Sequence, residues 1–212
     1  MHGTTILEEV FKICLENELI CWVDGGTLLG AVRESNFLEN ETDLDFGVMV
    51  DQGDFMADIL SCNGFSVDSL LVDDFGKIRN IKATKRKVHI DIATFARLEG
   101  FLERVSPRAM KKAPVGFDRK NTFAVMQYRF RSDAVDNLDT LAFKGVKIII
   151  PKIFDEYLSV YYRDWRVKQS HKQYFDEVYV NSVDMYSHHH DSAGILPDCY
   201  LHWVEYKSQA NE

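Results

Sequence analysis

A glycine turn followed by two closely spaced aspartates limits what this chain can fold into more than any other feature of the sequence. Apolar residues 19–23 predict a buried strand, which Gly25 and Gly26 end. Asp43 and Asp45 lie two residues apart in a second apolar run that also predicts a strand. Side chains at i and i+2 of a strand project from the same face. The two carboxylates therefore point into one region, where they repel each other unless a cation joins them.

The glycine turn itself suits an anion. Gly25 and Gly26 let backbone N–H groups approach a phosphate closely. Thr27 adds a hydroxyl at the start of a short predicted helix that runs to about Arg33. Successive N–H groups in such a turn form a concave site for oxyanions. The sequence therefore predicts a metal site beside a nucleotide or phosphate site.

A third acidic residue, Asp91, stands alone in the apolar run 88–95, which predicts another strand. An ionised carboxylate that faces a protein core costs several kcal/mol, so such a residue usually has a partner. If this strand lies beside the strand of Asp43, three carboxylates converge, and oxygen ligands of this kind suit Mg²⁺ or Mn²⁺. Each aspartate alone could equally lie on a solvated strand face. The three together with the glycine turn favour the metal site.

The hydrophobic pattern along the whole chain predicts an α/β protein with a mixed sheet and a helical C-terminal portion. Residues 98–137 contain two prolines and isolated charges, and they predict loops and short elements. We expect a catalytic core over 1–140 and a helical extension over 141–212 packed on it, or a single domain that combines both. The predicted helices are 5–18, 27–33, 51–61 and the segment from Pro151 to Trp165, and the predicted strands are 19–23, 43–50, 65–72, 77–84 and 88–95.

Composition and charge exclude several classes of protein. A hydrophobic content of 46% indicates a packed globular chain, and a net charge of −8 argues against a general nucleic-acid surface. No stretch of about 18 uncharged apolar residues predicts a membrane span, and residues 1–9 lack the features of a secretory signal. Four cysteines without a CxxC pair predict buried free thiols and a cytoplasmic location.

Four segments, in order along the chain, resemble the motifs of one family. Asp24–Arg33 resembles the GTLLGAVR signature of the LicD/fukutin family of nucleotidyltransferase-fold phosphotransferases. Thr42–Asp45 is similar to the end of that family's WDDDIDI segment, and His89–Ile92 is similar to its IDIFP strand. The family's closing pattern of F.G, a proline, YL, Y and W resembles Phe143, Gly145, Pro151, Tyr157, Leu158, Tyr161 and Trp165.

The resemblance spans about residues 19–165 and has three departures. Glu39-Asn40 replace the family's Pro-Trp, and Glu41-Thr42 replace its first two aspartates. Ala93-Thr94 stand where phenylalanine and proline are usual. The three aspartates of the predicted metal site are retained. The departures therefore concern the surface that receives the acceptor.

The resemblance implies a nucleotidyltransferase-like mixed β-sheet flanked by helices. It also implies an enzyme that moves a phosphoalcohol, such as phosphocholine or a polyol phosphate, from a CDP-alcohol donor to a glycan or glycolipid acceptor. CMP is released, and polysaccharide biosynthesis is the implied setting. Asp43, Asp45 and Asp91 would be the catalytic residues and would bind Mg²⁺ or Mn²⁺. Asp91 would complete the metal shell or accept the proton of the attacking hydroxyl.

Besides the glycine turn and Thr27, three basic residues are candidates for contact with the donor's diphosphate. They are Arg33, Lys77 and Arg79. Lys77 and Arg79 share a predicted strand face, where a solvated charged surface is an equal alternative. Arginine binds phosphate bidentately, so the two arginines rank above the lysine.

Two other functions stay open: a nucleotidyltransferase that adds a nucleotide from an NTP to a small molecule or protein, and a non-catalytic nucleotide-binding protein. His188–His190 predicts a solvated loop more than a zinc site, because consecutive side chains of an extended chain point in opposite directions. The basic runs Arg104–Lys112 and Arg119-Lys120 predict solvated surface more than contact with an anionic glycan acceptor, and the aromatic residues over 154–165 predict core packing. A choline-binding cage of aromatic rings, drawn from Trp22, Tyr161, Tyr162 or Trp165, also stays open.

Overall fold

The structure is a computed structural model that describes residues 2–39, 41–73, 75–109, 123–168, 201–204 and 206. A π-helical turn, Gly30–Glu34, extends the second helix, and a 3₁₀ turn, Val50–Gln52, precedes the third. The helices and strands of the described residues are, in chain order, α1 (His2–Glu16), β1 (Cys21–Val23), α2 (Gly25–Leu29), β2 (Asp43–Met49), α3 (Gly53–Cys62), β3 (Ser66–Asp73), β4 (Ile78–Lys85), β5 (Val88–Leu98), β6 (Phe101–Ala109), β7 (Phe123–Arg131), β8 (Leu138–Phe143), β9 (Val146–Pro151), α4 (Phe154–Tyr162) and β10 (Leu201–Val204).

Eight of these strands form one mixed sheet. Its order is β1-β2-β5-β4-β3-β10, and the hairpin β6–β7 pairs with β5. β2 and β5 are parallel, whereas the other described pairs of this sheet are antiparallel. β8 and β9 form a separate hairpin. The prediction of a mixed sheet flanked by helices is therefore confirmed, and the predicted strands over 43–95 correspond to β2, β3, β4 and β5.

Different parts of the chain pack against the two faces of the sheet. On the first face Phe46 of β2 packs against Phe11 of α1, with ring centroids 5.7 Å apart. Because side chains alternate along a strand, the neighbouring Gly47 belongs to the second face. There the ring of Trp22 fills the space that a Cβ at Gly47 would need, and it packs against Phe95 at 5.1 Å. The second face carries the candidate site.

An aromatic cluster fixes α4 against the second face. Tyr157 stacks on Phe130 with ring centroids 4.5 Å apart. Tyr161 meets Tyr128 and Phe130 edge to face, at 4.7 and 5.2 Å. Such aromatic pairs add to the stabilisation from burying apolar area. The predicted role of these α4 aromatic residues in core packing is confirmed.

The prediction of loops and short elements over 98–137 is wrong, because most of the described residues of this region (98–109 and 123–137) belong to strands. β6 and β7 form a long antiparallel hairpin, paired from Phe101–Arg131 to Ala109–Phe123. Pro107 lies where β6 pairs with β7 alone, and an edge position is where a sheet tolerates a proline. The hairpin also joins β5, a pairing that local composition does not reveal. Pro114 lies outside the described residues.

The C-terminal region differs from the helix predicted from Pro151. Pro151 is the last residue of β9, and α4 begins only at Phe154. β10 pairs with β3 and so extends the main sheet. Tyr206 donates its hydroxyl hydrogen to a carboxylate oxygen of Asp58 on α3, at 2.8 Å. The described part of the predicted helical extension therefore contains one helix together with strands, and His188–His190 lies outside the described residues.

Two smaller predictions concern membranes and thiols. None of the described helices is both long and apolar enough to cross a membrane. Cys14 and Cys21 are free and buried, as predicted. Cys62, the last residue of α3, is free but exposed, so the prediction of a buried thiol is wrong for it. Cys199 lies outside the described residues.

Candidate active site

Two neighbouring strands bring the predicted carboxylates together. The register of the parallel pair β2–β5 places Asp45 opposite Asp91 and Asp43 opposite His89. Opposed residues on adjacent strands lie on the same face of a sheet. Asp43, Asp45 and Asp91 therefore share the second face. The expectation that the strand of Asp91 lies beside the strand of Asp43 is confirmed.

The glycine turn is bonded to Asp45 in this structure. Oδ2 of Asp45 accepts hydrogen bonds from the backbone N–H groups of Gly26 (2.7 Å) and Thr27 (3.2 Å), and the Asp45 N–H donates to Oγ1 of Thr27 (2.8 Å). Gly25 has a φ of +47°, a left-handed conformation that favours glycine. A phosphate reaches these N–H groups only if Asp45 turns away. The phosphate-binding role of the turn stays a prediction.

A fourth carboxylate, Glu41, lies over the glycine turn. Its oxygens fill the space that a Cβ at Gly26 would need, and its side chain shares a hydrogen bond with Asp45. Two carboxylates share a hydrogen bond only when one holds a proton. Burial, and then the charge of Asp43, raise the pKa of Glu41 to about 7. Sequence reasoning treated Glu41 as a departure from the family motif, although its acidic character just before β2 was the signal that could have identified it.

Burial and repulsion raise the pKa values of the two β2 carboxylates as well. For Asp43 the causes are burial and then the charge of Asp91. The pKa of Asp45 lies well above its ordinary value because of burial, followed by the charges of Glu41, Asp91 and Asp43. Clustered groups with raised pKa values are typical of sites that bind cations or exchange protons. The raised pKa values mean that the surroundings do not fully stabilise the ionised forms of Asp43 and Asp45.

Asn80 of β4 fixes the orientation of Asp91. Its Nδ2 donates a hydrogen bond of 2.5 Å to Oδ1 of Asp91, and Asn80 is buried. The other polar atom of this amide, Oδ1, is also buried and has no hydrogen-bond partner among the residues that the structure describes. A buried oxygen of this kind favours a nearby donor or cation. It is an observation in favour of a ligand beside Asp91.

The carboxylate and amide oxygens are suitable ligands for a hard divalent cation, although they are not arranged around a single ion in this structure. Within the described ranges no three His, Cys, Asp or Glu side chains are already grouped to hold one ion. The reason is local: Asp45 is turned toward the Gly26 and Thr27 N–H groups, and Asp91 is bonded to Asn80. Carboxylates and amide oxygens are the ligands that Mg²⁺ and Mn²⁺ prefer. Cation binding by these residues requires a rotation of Asp45 and stays a prediction.

A buried ion pair that sequence reasoning missed lies behind the glycine turn. Nη1 of Arg104 lies 3.0 Å from Oδ2 of Asp24 and donates to the Tyr161 hydroxyl at 2.7 Å. Asp24 is fully buried and also accepts hydrogen bonds from Tyr157 (2.8 Å) and Tyr161 (3.1 Å). Burial would lower the pKa of Arg104, but Tyr161, Asp24 and Asp91 raise it well above its ordinary value. The predicted solvated surface is wrong for Arg104, because β6 directs this side chain inward.

Two of the rings considered for a choline cage are already used inside the protein. Trp22 is fully buried and donates its Nε1–H to the Tyr157 hydroxyl at 3.1 Å. The ring of Tyr161 lies 5.1 Å from the guanidinium carbon of Arg104, a cation–π contact within the core. Neither ring is accessible to a ligand. A cage that includes Trp22 or Tyr161 is therefore excluded in this conformation.

The three basic residues proposed from the sequence have different surroundings. Lys77 is exposed in the turn before β4. Both arginines are already paired with other groups of the protein. Arg33 contacts a glutamate and a backbone carbonyl, and Arg79 lies between two carboxylates. These contacts are Arg33 with Glu34 (2.8 Å) and with the carbonyl oxygen of Trp165 (3.3 Å), and Arg79 with Asp73 (3.8 Å) and Glu103 (3.3 Å).

Glu41 predicts a pH dependence for the stability of the metal-free protein. Its pKa of about 7 in the folded state lies above its ordinary value of 4.5, so the folded state holds a proton that the unfolded chain releases. The stabilising contribution is full below about pH 4.5 and is lost as the pH rises through about 7. We expect the free energy of unfolding in urea to fall over this window, and to fall less in Glu41→Gln. Equal slopes for the two proteins would contradict the shared proton.

A mixed sheet flanked by helices, with paired carboxylates on adjacent strands and a glycine turn beside them, is the arrangement expected of a nucleotidyltransferase fold. The chain belongs to the LicD/FKTN/FKRP family, because the nucleotidyltransferase domain of that family matches residues 18–153, well over half of the chain. The family indicated by the motifs is confirmed. Among curated proteins there is no significant match to the sequence.

Several solved structures are similar in their overall arrangement. The lincosamide antibiotic adenylyltransferase LnuA, bound to lincomycin, has 14% identity and a TM-score of 0.45, and the match covers 82% of this chain and 94% of that chain. ANT(2")-Ia in complex with adenylyl-2"-tobramycin has 12% identity and a TM-score of 0.47, covering 89% and 92%. The structure of TM1012 from Thermotoga maritima has 11% identity and a TM-score of 0.47, covering 90% of this chain and 93% of that chain. Similarity at this level says nothing about the substrate.

Proposed function

We propose that this protein transfers a phosphoalcohol, such as phosphocholine or a polyol phosphate, from a CDP-linked donor to a hydroxyl of a glycan or glycolipid, with release of CMP. The register that sets Asp45 opposite Asp91, in a chain of the LicD family, carries the proposal. A non-catalytic scaffold has no physical reason to keep repelling carboxylates together. A cytoplasmic location and a role in polysaccharide biosynthesis are part of the proposal.

Each carboxylate has a proposed role that follows from its surroundings. Asp43, Asp45 and Asp91 would hold Mg²⁺ or Mn²⁺, which would supply positive charge for the donor's diphosphate. Asp91, which Asn80 orients, would either complete the metal shell or accept the proton of the acceptor hydroxyl as the hydroxyl oxygen bonds to phosphorus. The bond from that phosphorus to the CMP oxygen breaks, and CMP leaves with the electron pair.

The glycine turn links donor binding to the position of Asp45. At present the Gly26 and Thr27 N–H groups donate to Oδ2 of Asp45. If Asp45 rotates toward a cation, these N–H groups become available to a phosphate oxygen at the start of α2. The proposal therefore expects the donor to bind more tightly when a divalent cation is present.

A thermal-shift panel tests the proposal. It compares CDP-choline, CDP-glycerol, CDP-ribitol and CTP, each with and without Mg²⁺. A specific ligand stabilises the folded protein by an amount that grows with its concentration relative to its dissociation constant. We expect one CDP-alcohol with Mg²⁺ to raise the melting temperature most, and the same CDP-alcohol to yield CMP when a glycan acceptor is added.

Other outcomes would identify the alternatives. Release of pyrophosphate from an NTP, without CMP release from any CDP-alcohol, would identify a nucleotidyltransferase that adds a nucleotide to its acceptor. Nucleotide binding that is indifferent to Mg²⁺, with neither product formed, would identify a non-catalytic nucleotide-binding protein. Either result would overturn the proposed reaction.

A further inference from the structure

Lys82 lies on β4 directly opposite Asp91. β4 and β5 are antiparallel, and their register pairs these two residues. Opposed residues of antiparallel strands lie on one face with their Cα atoms about 4.5–5.5 Å apart. Lys82 therefore shares the second face of the sheet with the three predicted metal ligands. Its side chain is exposed, whereas Asn80, two residues earlier on the same face, is buried.

The ammonium group of Lys82 acts electrostatically on the carboxylate cluster. Burial and the charge of Asp91 raise the pKa of Asp43, and Lys82 opposes this rise. Arg104 also acts on the cluster, but it is buried and paired with Asp24 at 3.0 Å. Lys82 is thus a cation at the solvent-facing rim of the site, where a charged substrate can approach it.

The basic residues suggested by the sequence are less suited to this task. Arg79 directly precedes Asn80 in β4 and therefore belongs to the opposite face of the sheet, and Arg33 lies in the π-helical turn that follows α2. Lys77 precedes β4, and five residues of extended chain separate it from Lys82. At about 3.3 Å per residue this amounts to roughly 16 Å along the strand. Lys82, by contrast, is level with Asp91.

We propose that Lys82 binds the diphosphate of a nucleotide substrate at the rim of the carboxylate cluster. The inference rests on the proposed function, because it requires an anionic substrate that meets the carboxylates. Once a divalent cation balances the carboxylates, the ammonium group no longer faces an excess of negative charge and pairs with a phosphate oxygen. Loss of one charge-assisted hydrogen bond of this kind weakens binding by about 10- to 100-fold.

Calorimetric titration of CDP in the presence of Mg²⁺ tests this inference. We expect Lys82→Met to weaken CDP binding by about 10- to 100-fold and Lys82→Arg to retain most of the affinity, because the charge is kept. Lys87→Met, at an exposed lysine in the turn between β4 and β5, is the matched control and should bind CDP like the wild type. Mg²⁺ titration without nucleotide is the second measurement, and Lys82→Met should not weaken Mg²⁺ binding, since it removes a positive charge.

The results distinguish this inference from the proposed reaction. Equal CDP affinity in Lys82→Met and wild type, or an equal loss in the Lys87→Met control, would overturn the role of Lys82 and leave the reaction standing if CMP release persists. Binding of CDP through Lys82 without transfer from any CDP-alcohol would support Lys82 and overturn the reaction. A wild-type protein that does not bind CDP at all would overturn both. Lys82 is exposed, so its variants should fold, and their melting temperatures check this.

Discussion

Asp43→Asn is expected to slow phosphoalcohol transfer by about 1,000-fold or more and to leave the fold intact. A bound cation contributes several kcal/mol to the transition state of such a reaction, and each 1.4 kcal/mol is about tenfold in rate. Burial and the charge of Asp91 raise the pKa of Asp43, so its negative charge costs stability in the folded protein. Because asparagine is neutral, the metal-free variant should melt at the wild-type temperature or above it.

CMP release and thermal unfolding, measured on the same preparations, check this prediction. Asp54→Asn changes an exposed aspartate of α3 and is the matched control, which should keep the full rate of transfer. Titration with Mg²⁺ separates a loss of metal affinity from a loss of structure. Transfer at the wild-type rate in Asp43→Asn would remove Asp43 from the mechanism.

Asp24→Asn is expected to cause the largest loss of stability, about 3–5 kcal/mol, because it leaves a buried guanidinium without its charged partner. Asp24 is fully buried and receives hydrogen bonds from Tyr157 and Tyr161 as well as the 3.0 Å contact from Arg104. For a chain of this size each kcal/mol lowers the melting temperature by about 2–4 °C. Urea unfolding of wild type and variant gives the difference directly.

A double variant shows whether the ion pair is responsible for that loss. Arg104→Met in the Asp24→Asn background removes the unpaired charge, so the double variant should be more stable than Asp24→Asn alone. The control is Asp133→Asn, which breaks an exposed ion pair with Arg131 and should change stability little. If the two losses simply add, the pair is not the cause.

The parts of the aspartate site that were predictable rest on local signals. Strand alternation puts Asp43 and Asp45 on one face, and the apolar surroundings of Asp91 indicate a strand with an acidic residue that needs a partner. The adjacency of the two strands was a condition of the prediction, because no local pattern decides which strands pair. The register confirms this adjacency, with Asp45 opposite Asp91.

The remaining parts of the site depend on pairings between distant segments. Arg104 belongs to a hairpin whose proline and charges are typical of a loop, and only its pairing with β5 turns the side chain inward. The β4–β5 register decides which residue lies opposite Asp91. That residue is Lys82, not Lys77 or Arg79. Glu41 precedes β2 outside any regular element, so no periodic pattern marks it.

The acidic groups of the site come from β2 and β5, and the chain forms α3, β3 and β4 between them. An unfolded chain has no counterpart of this arrangement, since only the closed parallel pair brings Asp45 and Asp91 together. Any ion or substrate that bridges them acts on the native state alone and shifts the folding equilibrium in proportion to its occupancy. Heating the protein with and without a chelator would therefore measure how much of its thermal resistance belongs to the polypeptide itself.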